Sequence, residues 1–384
     1  MSDEQVSAIG SDLREPGPSH WIAQERLEPG PPPNWWRAAA YGLGVLVTVA
    51  LLALAGTPED RLQAETTYQE SDGFLQGIQA LLGVTGARAI SALSAGVVVA
   101  STAWIARRLF HLQIPALLAA VLVAIDPGML TQARLATPVL PALAASTCAL
   151  ALFLSRRPRD HWWASGLLAF AAFLDPHQLL WALPCAAIVL VRGHIYAAPR
   201  HALTAGTQAI AIPLIGGLIG LAGSQSLQDG CYEVRGLPGL LRLESVDLGG
   251  FVATPNPVTW FGGFVALLFL LIWALSQIFG NFRLQRLPGR VQLRLPDGLK
   301  RIHGRILWLA FLTLFAPSPF SWLPLFAIAL AAGSDELGRD AKAFGYVVGA
   351  VLLVFAIIAS WQGIGALGLD IGTPALPWTR MVSC

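Results

Sequence analysis

TPEDRLQAETTYQESDGFLQGIQALLGVTGAR, residues 57–88, is a polar and acidic island between two long apolar runs. Glu59, Asp60, Glu65, Glu70 and Asp72 stand against Arg61 and Arg88. The second half turns amphipathic: Phe74, Leu75, Ile78, Leu81 and Leu82 fall at helical spacing, with Gln76 and Gln79 between them. That spacing predicts a helix lying on a membrane surface. The flanking runs, Ala38–Ala55 and Ile90–Ile105, have the apolar composition of membrane-spanning helices. An acidic loop held between two spans is the first place in the chain to look for chemistry. Without chemistry, it is a solvated loop ending in a surface helix.

The rest of the composition agrees with this reading. Of 384 residues, 55% are hydrophobic and 12% charged, with a mean hydropathy of +0.59. A soluble domain carries about 25% charged residues. Apolar runs recur along the chain without the period-two alternation of a membrane β-barrel, so the expected class is an all-α, polytopic helical membrane protein. The expected spans number about eleven: Ala38–Ala55, Ile90–Ile105, Ile114–Met129, Val139–Leu154, Trp162–Phe173, Gln178–Val191, Leu203–Ala222, Trp260–Phe279, Ile306–Phe315, Phe320–Ala332 and Phe344–Trp361. Residues 1–36 read as a disordered cytoplasmic tail, residues 37–361 as the transmembrane domain and residues 362–384 as an external tail. Ala53-Leu54-Ala55 before Gly56 has the look of a signal-peptidase site, but the long polar lead favours an uncleaved helix.

Charge gives the orientation. With the N-terminus in the cytoplasm, nineteen of the 25 basic residues fall in inside segments and six outside. This asymmetry follows the positive-inside rule. Both long polar loops, 57–88 and 223–259, then face outward. The basic segment from Gly280 to Arg305 becomes an inside loop near anionic lipid. A bacterial cytoplasmic membrane is the expected location. No basic face suggests nucleic acid as a partner.

Ionisable residues at the outer ends of spans are the next candidates, because charge at membrane depth is costly. Asp126 ends the third span, Arg134 sits in the turn after it, and Asp175 and His177 occupy the tip of the fifth–sixth hairpin. Carboxylates beside an Arg suit an anionic ligand: Arg clamps a phosphate and a carboxylate serves as general base. The structural alternative has Asp126 capping a helix, Arg134 paired with it or reaching to the interface, and His177 solvated. No HExxH, Walker A, GxSxG or suitably placed GxGxxG occurs. The cysteines Cys148, Cys185, Cys231 and Cys384 lack zinc spacing. Cys148 and Cys185 read as core residues, whereas Cys231 and Cys384, both outside, are free to pair in an oxidising compartment. An acidic loop can accept a divalent metal, but no ligand spacing specifies one, and no cofactor is called for.

The order of parts resembles protein-O-mannosyltransferase-like glycosyltransferases of the GT-C superfamily, which use polyprenyl-phosphate sugars. Four stretches carry the resemblance: Gly86–Phe110, similar to the family's second span and its basic exit; Leu117–Pro138, LLAAVLVAIDPGMLTQARLATP; Thr254-Pro255-Asn256-Pro257-Val258-Thr259-Trp260; and Phe315–Ala332, FAPSPFSWLPLFAIALAA. The resemblance implies a GT-C-like membrane core over about Ala38–Ala332. It also implies a lipid-linked sugar donor and a catalytic acid in the first outer loop. Carried over, Arg134 takes the family's Arg position and holds the donor phosphate. Where the family has Asp-Glu-x-x-Tyr, this chain has Ala64-Glu65-Thr66-Thr67-Tyr68, which leaves Glu65 and Tyr68. Thr137 stands where a second acid is expected, and Trp322 where a Tyr is expected. The expected base is therefore Glu65, with Asp60, Glu70 and Asp72 as substitutes, and Tyr68, Asp126, Asp175 and His177 in support. Two other readings stay open: a catalytically silent GT-C-like subunit in a complex with membrane-protein partners, favoured by Ala64 and Thr137, and a transporter or lipid-handling protein.

Overall fold

The computed structural model describes residues 35–55, 73–110, 113–134, 138–155, 158–195, 199–223, 256–280, 284–287, 290–293, 299–317, 319–337 and 342–366. The chain divides into Met1–Ala38 and Ala39–Cys384. Of the first unit, residues 35–38 are described. They form the opening turn of helix α1, Trp35–Ala55, where the Arg37 guanidinium lies 5.7 Å from the Trp36 ring centre.

The second unit is helical. After α1 come α2 (Gly73–Phe110), α3 (Gln113–Ala124), α4 (Pro127–Arg134), α5 (Val139–Phe153) and α6 (Pro158–Leu174). A 3-10 turn, Pro176–Trp181, leads into α7 (Ala182–Ile195), and then come α8 (Pro199–Gly223) and α9 (Pro257–Gly280). A short antiparallel hairpin of β1 (Leu284–Leu287) and β2 (Arg290–Leu293) precedes α10 (Leu299–Leu314), α11 (Pro319–Leu337) and α12 (Lys342–Ala366).

Each of the eleven expected spans overlaps a helix, although the third, Ile114–Met129, runs from α3 into α4 and the sixth, Gln178–Val191, begins in the 3-10 turn. Among the described residues, four helices are long and apolar enough to cross a membrane, over Trp35–Leu52, Thr85–Phe110, Leu203–Gly220 and Val258–Ser276. Five further apolar helices are shorter, among them Gln113–Ala124 and Val139–Phe153. A 12-residue helix such as α3 rises about 18 Å, short of a hydrocarbon core of about 30 Å. The protein is an all-α helical membrane protein, apart from the β1–β2 hairpin.

The Thr85–Phe110 part of α2 is the centre of the bundle and is mostly buried. One side of it meets α5, which packs on α6, and α6 in turn packs on α8. The other side meets α3, which packs on α11, and α11 carries α9 and α12. Small side chains make these approaches close: Ala92, Ala95, Ala103, Ala119, Ala120, Ala142 and Ala149 are fully buried. Cys185 is buried in the core and Cys148 is partly buried, both as free thiols.

Four boundaries differ from the sequence reading. First, the surface helix and the second span are one element, broken at Gly83. Leu81 and Leu82 before the break are exposed. Gly83 has φ 71° and ψ 176°, a conformation essentially confined to glycine. Gly83→Ala is therefore expected to cost about 1–3 kcal/mol and lower the melting temperature in nanodiscs. Gly42→Ala in α1, where a new Cβ meets nothing within 4 Å, should be neutral or stabilising by up to about 1 kcal/mol. Equal melting of the two variants would refute the kink.

Second, the third span stops at Ala124 rather than Met129, because Pro127 cannot donate to the α3 ladder. Third, Arg134 is not in a turn but ends helix α4. Fourth, the basic segment is not a plain loop. Its Leu284–Leu293 part forms the hairpin and Leu299 onward belongs to α10. The two strands pair antiparallel with Leu284 opposite Leu293 and Leu287 opposite Arg290.

Candidate functional site

Two polar clusters, one buried and one half-buried, stand at the helix ends expected to face outward. The first centres on Asp126, which is completely buried between α3 and α4. Its Oδ1 accepts from Met129 N at 3.2 Å, capping the first turn of α4. Its Oδ2 accepts from Asn256 N and from Trp260 Nε1, each at 3.2 Å. Asn256 in turn caps α9: its Oδ1 accepts from Val258 N at 3.0 Å. The Asn256 amide Nδ2 donates to Ala356 O and to Ser360 Oγ of α12, both at 2.8 Å.

The sequence explains this arrangement. Pro257 at the first position of α9 leaves Asn256 as N-cap, and Trp260, one turn later, points its indole N–H back toward the cap. Asp126, Asn256 and Ser360 thus tie together the α3–α4 turn, the start of α9 and the second half of α12. Aromatic rings continue the cluster: Trp260 meets Phe326 edge-on at 6.2 Å, and Phe326 lies 6.1 Å from Trp322. Trp322 Nε1 donates to Thr313 O at 3.1 Å, closing the α10–α11 hairpin. The tryptophan at the expected Tyr position is therefore a packing and pinning residue.

The second cluster lies at the α6–α7 tip. Asp175 caps the 3-10 turn, with Oδ1 accepting from His177 N at 3.1 Å. The same oxygen lies 2.9 Å from His177 Nδ1. Oδ2 accepts from Gln178 Nε2 at 2.8 Å, and Gln178 Oε1 accepts from Ser146 Oγ at 2.8 Å, midway along α5. His177 is thus partnered, not simply solvated. The Asp175 hydrogen bond pushes the His177 imidazole above its usual range, against a partial burial that works the other way. Burial would push the Asp175 carboxyl up, but the His177 and Gln178 hydrogen bonds and the His177 charge together hold it below the usual carboxylate range.

The two clusters are connected through α5, which packs against both α4 and the 3-10 turn. Arg134 is placed by its backbone at the end of α4, the helix whose start Asp126 caps. Glu65, Asp60, Glu70, Asp72 and Tyr68 lie outside the described residues, as do Cys231 and Cys384. Among the described residues, no three His, Cys, Asp or Glu side chains converge as a metal site would need. Gln178 and Ser146 carry no ionisable group to mark them, and Asn256 stands in the sequence only as part of the Thr254–Trp260 stretch of the resemblance. The signal for Asn256 was the Asn-Pro pair, a helix-start signature.

These apolar helices, joined by polar clusters at their ends, define a polytopic helical membrane protein. Residues 77–173 match the family model of dolichyl-phosphate-mannose-protein mannosyltransferases. The match covers about a quarter of the chain, from α2 into α6, and includes Asp126 and Arg134 but stops before Asp175. It supports a membrane glycosyltransferase of the mannosyltransferase type. No curated protein and no solved structure matches the chain.

Proposed function

We propose that the chain transfers a sugar from a polyprenyl-phosphate donor to an acceptor on the outer face of the bacterial cytoplasmic membrane, with its N-terminus in the cytoplasm. The family-model match over residues 77–173 carries this reading, because it takes in Arg134 and the helices that place it. Arg134 holds the donor phosphate and balances the charge that grows on the leaving group. Glu65, or one of Asp60, Glu70 and Asp72, takes the proton of the acceptor hydroxyl as the new C1–oxygen bond forms. The departing group is the polyprenyl phosphate.

The test is transfer of radiolabel from polyprenyl-phosphomannose to candidate acceptors by purified protein in nanodiscs. Arg134→Ala and Glu65→Gln are each expected to lower turnover by about 100-fold or more. Normal transfer by both variants would sink the assignment. Ala64, where the family carries Asp, favours one alternative: a catalytically silent membrane subunit. Its signature would be no transfer by the wild type together with a stoichiometric membrane-protein partner on purification.

A further inference from the structure

The Asp175–His177 pair at the α6–α7 tip has a job left over once its internal bonds are counted. Asp175 is largely engaged. One oxygen serves His177 N and Nδ1, and the other serves Gln178, which Ser146 locks from α5. A carboxylate so engaged has little left for a metal or an incoming substrate; what it does is orient the ring. With Nδ1 turned to Asp175, the imidazole offers a single group, Nε2, to the outside. No described side chain bonds that nitrogen, and the His177 side chain is about one third exposed (34%). Gln178 is almost fully buried, at 2%, so the ring rests on a rigid polar support.

We infer that His177 Nε2 is a phosphate-binding donor at the outer end of the α6–α7 hairpin, positioned by Asp175, Gln178 and Ser146. The ligand class follows from charge and place. The Asp175 carboxylate at Nδ1 favours the charged imidazole, the form in which Nε2 also carries a proton and can donate. A cationic N–H at the end of a membrane hairpin meets phosphate oxygens, and charge-assisted bonds to phosphate are the stronger kind. A metal is disfavoured because no other His, Cys, Asp or Glu among the described residues joins the ring in a ligand set. The inference rests on the sugar-transfer reading for one point only, the lipid to which the phosphate belongs. It adds a second phosphate contact to Arg134, outside the segment that the family model matches.

The test is binding, not turnover. Thermal melting of the full chain in nanodiscs is followed against added polyprenyl phosphate and, separately, against inorganic phosphate. Wild type is expected to be stabilised. His177→Asn keeps an amide N–H for Asp175 but removes Nε2, and is expected to bind at least tenfold more weakly while melting normally without ligand. Asp175→Asn is expected to weaken binding and to return the His177 ring, read by NMR titration, toward the ordinary imidazole range. Loss in His177→Asn of stabilisation by the lipid alone assigns the site to a lipid phosphate. Loss of an equal response to both probes assigns it to phosphate as such. Binding by His177→Asn as tight as by wild type, or no stabilisation of wild type by either probe, overturns the inference. Because turnover is not read, phosphate binding that depends on His177 survives even if no sugar is transferred, and its failure leaves the Arg134 and Glu65 test intact.

Discussion

Asp126→Asn is expected to destabilise the folded chain by about 2–4 kcal/mol, read as a lower melting temperature in nanodiscs by tryptophan fluorescence. The reason is the chemistry of the partners. Asp126 accepts from the N–H groups of Met129, Asn256 and Trp260, with the Gly128 N–H also turned to it, and meets no acceptor among the described residues. An Asn side chain offers one oxygen and one NH2. If the oxygen takes the place of Oδ2, the Asn256 and Trp260 donors stay satisfied, but the NH2 then points at the Met129 N–H and the α4 cap is lost. If the amide flips, two donors are lost instead of one. In either orientation a buried donor faces another donor at a fully buried site, and there the missing partner is felt most.

Trp260→Phe supplies the graded control. It removes one of these donors and leaves the carboxylate, so it should cost about 1 kcal/mol from hydrogen bonding plus a small packing change. An Asp126→Asn variant that melts like the wild type, or no worse than Trp260→Phe, would show that the carboxylate is not the acceptor hub described. Because the cap of α4 is the same bond that fails, the variant should also disturb the helix that ends in Arg134, and transfer should fall with stability.

Much of the fold was legible because membrane spans are written in composition. Without water in the hydrocarbon region each span must satisfy its own backbone, so a long apolar run favours a helix, and each expected span overlaps one. What was misread turned on single residues that interrupt the apolar pattern. Asp126-Pro127 looked like the tail of a span. Physically it is a stop, since Pro127 breaks the ladder and Asp126 caps the next helix. In the basic segment the strands Leu284–Leu287 and Arg290–Leu293 are only four residues each, and LQRL does not alternate, so neither length nor period marks the first of them as a strand. The site was legible only in part, for a different reason. Asp126, Asp175 and His177 were found because they ionise, whereas their partners Asn256, Gln178 and Ser146 do not, and a pairing that runs from residue 126 to residue 256 leaves no local trace in one sequence.

Glycine at 216 and 220 should prove as critical as Asp126, through packing alone. Gly216 and Gly220 stand one helical turn apart on α8 and face α6. A Cβ built on Gly216 would run into the carbonyl oxygen of Ala169, and one on Gly220 into that of Phe173, with Phe173 Cα at 3.0 Å. These obstacles are backbone atoms, which cannot rotate away as a side-chain end can. Two helices in lipid gain little from hydrophobicity, so their association depends on this closeness of backbones. Gly220→Leu, or Gly216→Leu, must therefore drive α8 off α6. The expected cost is about 2–3 kcal/mol, because the lost contacts run along the whole crossing. Gly166 lies on α6 itself, and a Cβ there meets nothing within 4 Å. Gly166→Ala is expected to be harmless or to stabilise by up to about 1 kcal/mol, as replacing a mid-helix glycine generally does. The contrast separates close approach from helix propensity: α8 variants that melt as high as Gly166→Ala would mean that α6 and α8 do not meet backbone to backbone. The consequence reaches the site, since the same α6 ends at Leu174, directly before Asp175. Moving α8 away should also loosen the Asp175–His177 turn, which packs against both helices, and the His177 ring should titrate closer to the ordinary imidazole range in Gly220→Leu than in the wild type.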